Sequence, residues 1–110
     1  MKILIEGKTV SKTDEKVILV AILGILTALE KKSVTIDEAE KFLFSPKMVD
    51  TLRKANCSEK TIELASKGCE LEDIASLIPE KWEEILSELV QDTLKFLIEY
   101  EELNKNFWIE

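Results

Sequence analysis

The feature that most constrains this chain is the apolar run Val17–Leu29, fenced by Thr13-Asp14-Glu15-Lys16 before it and Glu30-Lys31-Lys32 after it. Crossing a bilayer takes about 20 apolar residues, and this run has 13. It must therefore be covered by protein. Its apolar character extends nearly all round the helical circumference, which predicts a helix over 13–32 buried on every side. Ala21, Gly24 and Ala28 fall on one face of it. A glycine inside a helix costs about 0.8–1 kcal/mol, so close approach of another helix is expected there. The partner is a neighbour within the fold or the same helix of a second copy.

The remaining chain reads as further helices with short connections. Thr35-Ile36-Asp37-Glu38 is a capping box, which predicts a helix to about Phe44. Ser45-Pro46 pairs an N-cap with proline at the first helical position and predicts a helix to about Ala55. Asn56 tolerates the left-handed conformation that ends a helix. Ser58 restarts the chain into Glu59–Lys67, with Gly68 as a C-cap candidate. Leu71–Leu77 is a short helix before Pro79, and a long amphipathic one follows from about Glu80 to Asn104. Ser45-x-Lys-x-Val-Asp and Ser58-x-Lys-x-Ile-Glu repeat at an offset of 13, a likeness that ordinary helix-capping chemistry explains. The expected fold is all-α, a compact bundle of five to six helices forming one domain over 1–110. Residues 2–10 add a short strand or extended arm, and Phe107-Trp108-Ile109 is the only other strand-like run.

With 110 residues, 45% of them apolar, the chain can hide about 65% of its unfolded surface and needs no disulfide staples. Cys57 and Cys69 are too sparse for a secreted disulfide framework and read as reduced, buried, small apolar residues. The N-terminus carries only Ile3-Leu4-Ile5 before Glu6, far short of a signal peptide. A cytoplasmic protein is expected, with no membrane association.

The chain contains no histidine. That removes Ser-His-Asp and Cys-His nucleophile pairs, the commonest general base and imidazole-bound metals. Its three glycines, Gly7, Gly24 and Gly68, are isolated, so no phosphate-cradling loop exists. No catalytic residue, cofactor or metal site is expected. Cys57, just before a helix start, is the better placed of the two thiols for reactivity. The acid groups Glu70/Glu72/Asp73 and Glu99/Glu101/Glu102 lack the spacing of a calcium loop and read as solvated faces. The Leu52–Ala65 stretch has the outline of a helix-hairpin-helix, but Asn56 and Ser58 stand where phosphate-binding versions use glycine.

Charge is unevenly placed. Residues 1–56 hold 8 acids and 10 bases; residues 57–110 hold 14 acids and 5 lysines. An acidic half-chain disfavours nucleic acid, whose phosphates need positive potential. Glu80, Glu84, Glu88 and Asp92 succeed one another at i+4 along the last helix. The first of these suit a helix N-terminus; Glu88 and Asp92 gain nothing from it and repel by about 0.2–0.5 kcal/mol per pair. Such a row would attract a basic protein partner, although net charge that keeps a small domain dispersed is the simpler explanation.

Three phrases together, Gly24-Ile-Leu-Thr-Ala-Leu-Glu30, Phe42-Leu-Phe-Ser-Pro46 and Gly68-Cys-Glu-Leu-Glu-Asp-Ile74, resemble a small bacterial family of cytoplasmic, helical proteins of unknown function. The resemblance implies a single helical domain and carries no activity with it. Size and acidity also give a looser likeness to the immunity proteins of bacterial toxins. The functional expectation is a non-enzymatic protein-interaction module, in its sharper form an immunity- or inhibitor-type protein, meeting a basic partner through Glu80, Glu84, Glu88 and Asp92. The alternatives are a structural homodimer built on Ala21, Gly24 and Ala28, and an enzyme running on carboxylates or a cysteine.

Overall fold

A computed structural model describes residues 11–103, with side-chain surroundings given for residues 11–100. The strand-like runs at 2–10 and 107–109 lie outside these, and no strand occurs among the described residues. The helices are α1 Lys12–Glu30, α2 Ile36–Phe42, α3 Pro46–Lys54, α4 Glu59–Cys69, α5 Leu71–Leu77 and α6 Trp82–Leu103, with a 3₁₀ turn at Pro79–Lys81. All-α is the correct class, but the five to six helices expected are not of equal rank. Four helices, α1, α3, α4 and α6, frame the bundle. α2 and α5 are seven-residue segments of about two turns.

The helix ends follow local chemistry. Ser11 Oγ accepts from the Asp14 N–H at 3.1 Å and starts α1. The capping box at α2 is complete: the Glu38 N–H donates to Thr35 Oγ1 at 3.1 Å and the Thr35 N–H donates to Glu38 Oε1 at 2.9 Å. Ser45 Oγ accepts from the Met48 N–H at 3.2 Å and starts α3. After α3, Asn56 takes φ 61°, while the Cys57 N–H closes on Leu52 O at 3.1 Å. α1 ends in the same way without a glycine or asparagine to signal it. Lys32 takes φ 61°, and the Ser33 N–H donates to Ala28 O at 2.8 Å. This is a left-handed helix cap occupied by a lysine.

α1 and α6 form the main packing pair. α1 buries Ile18, Leu19, Ile22, Leu26 and Leu29; α6 buries Leu86, Leu89, Thr93, Phe96 and Tyr100. Both sets recur every three or four residues, as one helical face must. The pair is antiparallel, since Tyr100 near the end of α6 donates to Lys12 O at the start of α1, 3.0 Å away. Phe96 and Tyr100 meet edge to face at 5.8 Å. α2 to α5 cover one side of this pair and bring in Ala39, Leu43, Phe44, Leu52, Leu64, Ala65 and Leu71.

Burial on every side of α1 is not what the fold provides. Val17 is 46% exposed and Val20 53%, on the same outer face as Gly24. The other described helices leave this face of α1 uncovered. Among the described residues, no neighbour within the chain makes the close approach expected at Gly24, since a Cβ there would meet nothing within 4 Å. Such an approach occurs at Gly68 instead, where a Cβ would lie 2.6 Å from ring carbons of Phe44. Gly68 is therefore not a C-cap. It lies inside α4 as the notch that admits a fully buried phenylalanine.

Candidate functional site

The row of acids read from the sequence is divided by the fold. Pro79 lacks an N–H and constrains Ile78, so the chain makes a 3₁₀ turn there and α6 begins only at Trp82. Glu80 belongs to that turn. Glu84 is exposed and lies 3.6 Å from Lys81. Glu88 and Asp92 stand apart from both. They line a cleft of about 210 Å³ between α4, α5 and α6, with Lys67 and Glu70 opposite and with Ile74, Ile85 and Leu89 supplying the apolar surface.

The cleft is a half-apolar groove with a negative rim. Lys67, its single lining cation, is engaged outside the rim, with its Nζ 3.1 Å from Glu63. The Glu63 hydrogen bond raises the Lys67 pKa, burial opposes it, and the charges of Glu63, Asp92 and Glu70 raise it further. Among the described residues, Glu70, Glu88 and Asp92 are in no salt bridge. Sequence reasoning found Glu88 and Asp92 but missed Glu70 and Lys67, because only the crossing of α4 and α6 brings them together. Glu72, grouped with Glu70 in the sequence, faces elsewhere. It shares a second cleft with Ile36, Asp37, Glu40, Ala75 and Ser76. There a hydrogen bond with Glu72 pushes the Glu40 carboxyl up, with burial and repulsion from Glu72 and Asp37 adding to it. Among the described residues no cluster of three or more His, Cys, Asp or Glu side chains is placed to hold a metal ion.

The structure also holds a polar junction that the sequence did not signal. Glu15, in the first turn of α1, is 8% exposed. Its Oε2 accepts the Ser58 N–H at 2.8 Å, the Ser58 hydroxyl at 2.7 Å and the Thr61 hydroxyl at 2.6 Å. Tyr100 OH lies 3.5 Å from its Oε1. One carboxylate thus joins α1, the first turn of α4 and α6. The two matching serine phrases diverge here: Ser45 caps its own helix, whereas Ser58 makes no cap bond to α4 and binds Glu15. A carboxylate at a helix N-terminus is favourably placed against the macrodipole.

Both cysteines are free; Cys57 is buried and Cys69 half-buried. Burial, and secondly the charge of Glu15, pushes the Cys57 thiol from 9.0 up to about 11. Burial also raises Cys69, with Glu40 and Glu70 adding to it. Burial first, and then the carboxylate beside it, disfavours the Cys57 thiolate that the sequence expectation of reactivity needs. At pH 8 a disulfide reagent should label Cys57 in the folded protein about a hundredfold more slowly than in urea, following the thiolate fraction. Equal rates would contradict this placement of Cys57.

Ala21 and Ala28 are half-buried on the outer side of α1, on either side of the open Gly24. No described helix is long and apolar enough to cross a membrane. Residues 9–110 match the sequence pattern of a family described as "Protein of unknown function (DUF3969)". No curated protein and no solved structure matches the chain. The likeness to toxin-immunity proteins gains nothing from these comparisons.

Proposed function

The chain belongs to the DUF3969 family, and from that premise we propose that it is a non-enzymatic protein-interaction module whose α4–α6 cleft receives a basic side chain of a protein partner. The observation that carries this reading is the union of Glu70, Glu88 and Asp92 around the surface of Ile74, Ile85 and Leu89. A lysine or arginine is long enough to lay its methylenes on such a floor and keep its charge among carboxylates. The acidic half-chain around the cleft would speed the encounter. An immunity- or inhibitor-type role is the sharper form of the proposal, and only size and charge support it. The raised Cys57 thiol and the lack of histidine weigh against an enzyme.

The test is affinity capture from extracts of the source cells with wild type and with the Glu88→Gln/Asp92→Asn variant. The expected result is a basic protein retained by wild type, lost at least tenfold with the variant, and released by raising salt. Identical capture by both proteins sinks the reading. A homodimer is the second reading, favoured by the exposed Val17 and Val20 beside the open Gly24. Sedimentation of wild type against Gly24→Leu tests it, with a dimer lost in the variant as its expected outcome.

A further inference from the structure

The geometry points to Glu15 as a positioning residue that sets the roll of α4 about its own axis, and through it the shape of the α4–α6 cleft. Ser58 and Thr61 lie one turn apart, at the N-cap and in the first turn of α4, and both are bound by the same Glu15 oxygen at 2.6–2.8 Å. α6 meets the same junction through Tyr100, whose hydroxyl donates to Lys12 O at 3.0 Å and lies 3.5 Å from Glu15 Oε1. The cleft lies two to three turns further along the same helix pair, with Lys67 and Glu70 at the end of α4 and Glu88, Leu89 and Asp92 on α6. Over so short a helix, roll imposed at the first turn is carried to the last.

Other contacts bear on that roll with less direction at the first turn. Leu64 and Ala65 pack into the core, but apolar contact is non-directional and tolerates small turns. Gly68 against Phe44 sets how close the far end of α4 comes and which face it turns there, while the Glu15 bonds fix its first turn. Directed hydrogen bonds to a buried acceptor do fix it, and buried polar groups are known to select register in other systems. The inference takes its functional meaning from the cleft as the binding site, but its test needs no partner.

The experiment is methyl NMR of Ile74, Ile85 and Leu89 in wild type, Glu15→Gln and Thr61→Val, with helix content checked by circular dichroism. Thr61→Val keeps the shape of the side chain and removes only its hydroxyl, so it stands in should Glu15→Gln fail to fold. The expected result is displaced or broadened cleft methyls, with Val17 and Val20 on the outer face of α1 unchanged. Cleft methyls identical to wild type overturn the inference. So does an equal disturbance of Val17 and Val20, which would make Glu15 a general stabiliser. Displaced cleft methyls with partner capture unchanged would count against the proposed function alone.

Discussion

Replacing Glu15 by alanine should lower the free energy of unfolding by about 3 kcal/mol, read as a lower denaturant midpoint at constant slope. Three donors lose their acceptor: the Ser58 N–H, the Ser58 hydroxyl and the Thr61 hydroxyl. An unsatisfied buried donor costs about 1–3 kcal/mol. Ser58 is half-buried and can recover water, whereas the fully buried Thr61 hydroxyl keeps Ser58 Oγ, 3.0 Å away, as an acceptor, which puts the sum near the low end of three such terms. The control is Glu15→Met with Ser58→Ala and Thr61→Val. It removes both hydroxyl donors together with the acceptor and leaves only the half-buried backbone N–H of position 58, and replacing a buried polar set by apolar groups is often close to neutral. It should regain most of the loss. A single alanine variant as stable as wild type would show that the junction contributes nothing.

The second large effect is at Gly68. Alanine there places a methyl 2.6 Å from the Phe44 ring, a distance that carbon atoms do not tolerate. Phe44 is fully buried and has no room to retreat, so overpacking should cost about 1–3 kcal/mol. The gain in helix propensity offsets up to about 1 kcal/mol of that. The net expectation is a loss of about 1–2 kcal/mol, recovered in part by Phe44→Leu in the same chain. At Gly24 the same change meets open space and should stabilise by about 0.5–1 kcal/mol. Opposite signs for one substitution at two helical glycines, measured by thermal or urea unfolding, is the result that checks this. Two equal signs would contradict the packing described.

These two glycines also show where sequence reasoning stops. Both lie inside helical patterns, and nothing local says which one faces a neighbour. The small-residue spacing of Ala21, Gly24 and Ala28 marks a face open to a partner, and nothing in it says that within the chain the tight neighbour lies at Gly68. Features whose partners lie within a turn were legible: the Thr35–Glu38 box, the Ser45–Pro46 start and the left-handed Asn56. Lys32 adopts the same conformation as Asn56 unannounced, because lysine has no preference for it. Glu15 was invisible for a different reason. An acid in the first turn of a helix is ordinary, and its partners lie 43 and 46 residues away. Half of the candidate site was legible for the same reason. Glu88 and Asp92 share one helix and could be read together; Glu70 and Lys67 join them only through tertiary packing.

The tie between Tyr100 and Lys12 spans 88 residues, and this separation bears on the order of assembly during synthesis. The short connections among α2 to α5 let those helices pair as they emerge, since closing small loops costs little entropy. α1 is made before them, yet the stripe of Ile18, Leu19, Ile22, Leu26 and Leu29 has its main partner in α6, the last of the described helices to be synthesised. Until then it is an open apolar surface on a nascent chain, the kind that chaperones cover. A helix made early is thus among the last to be closed.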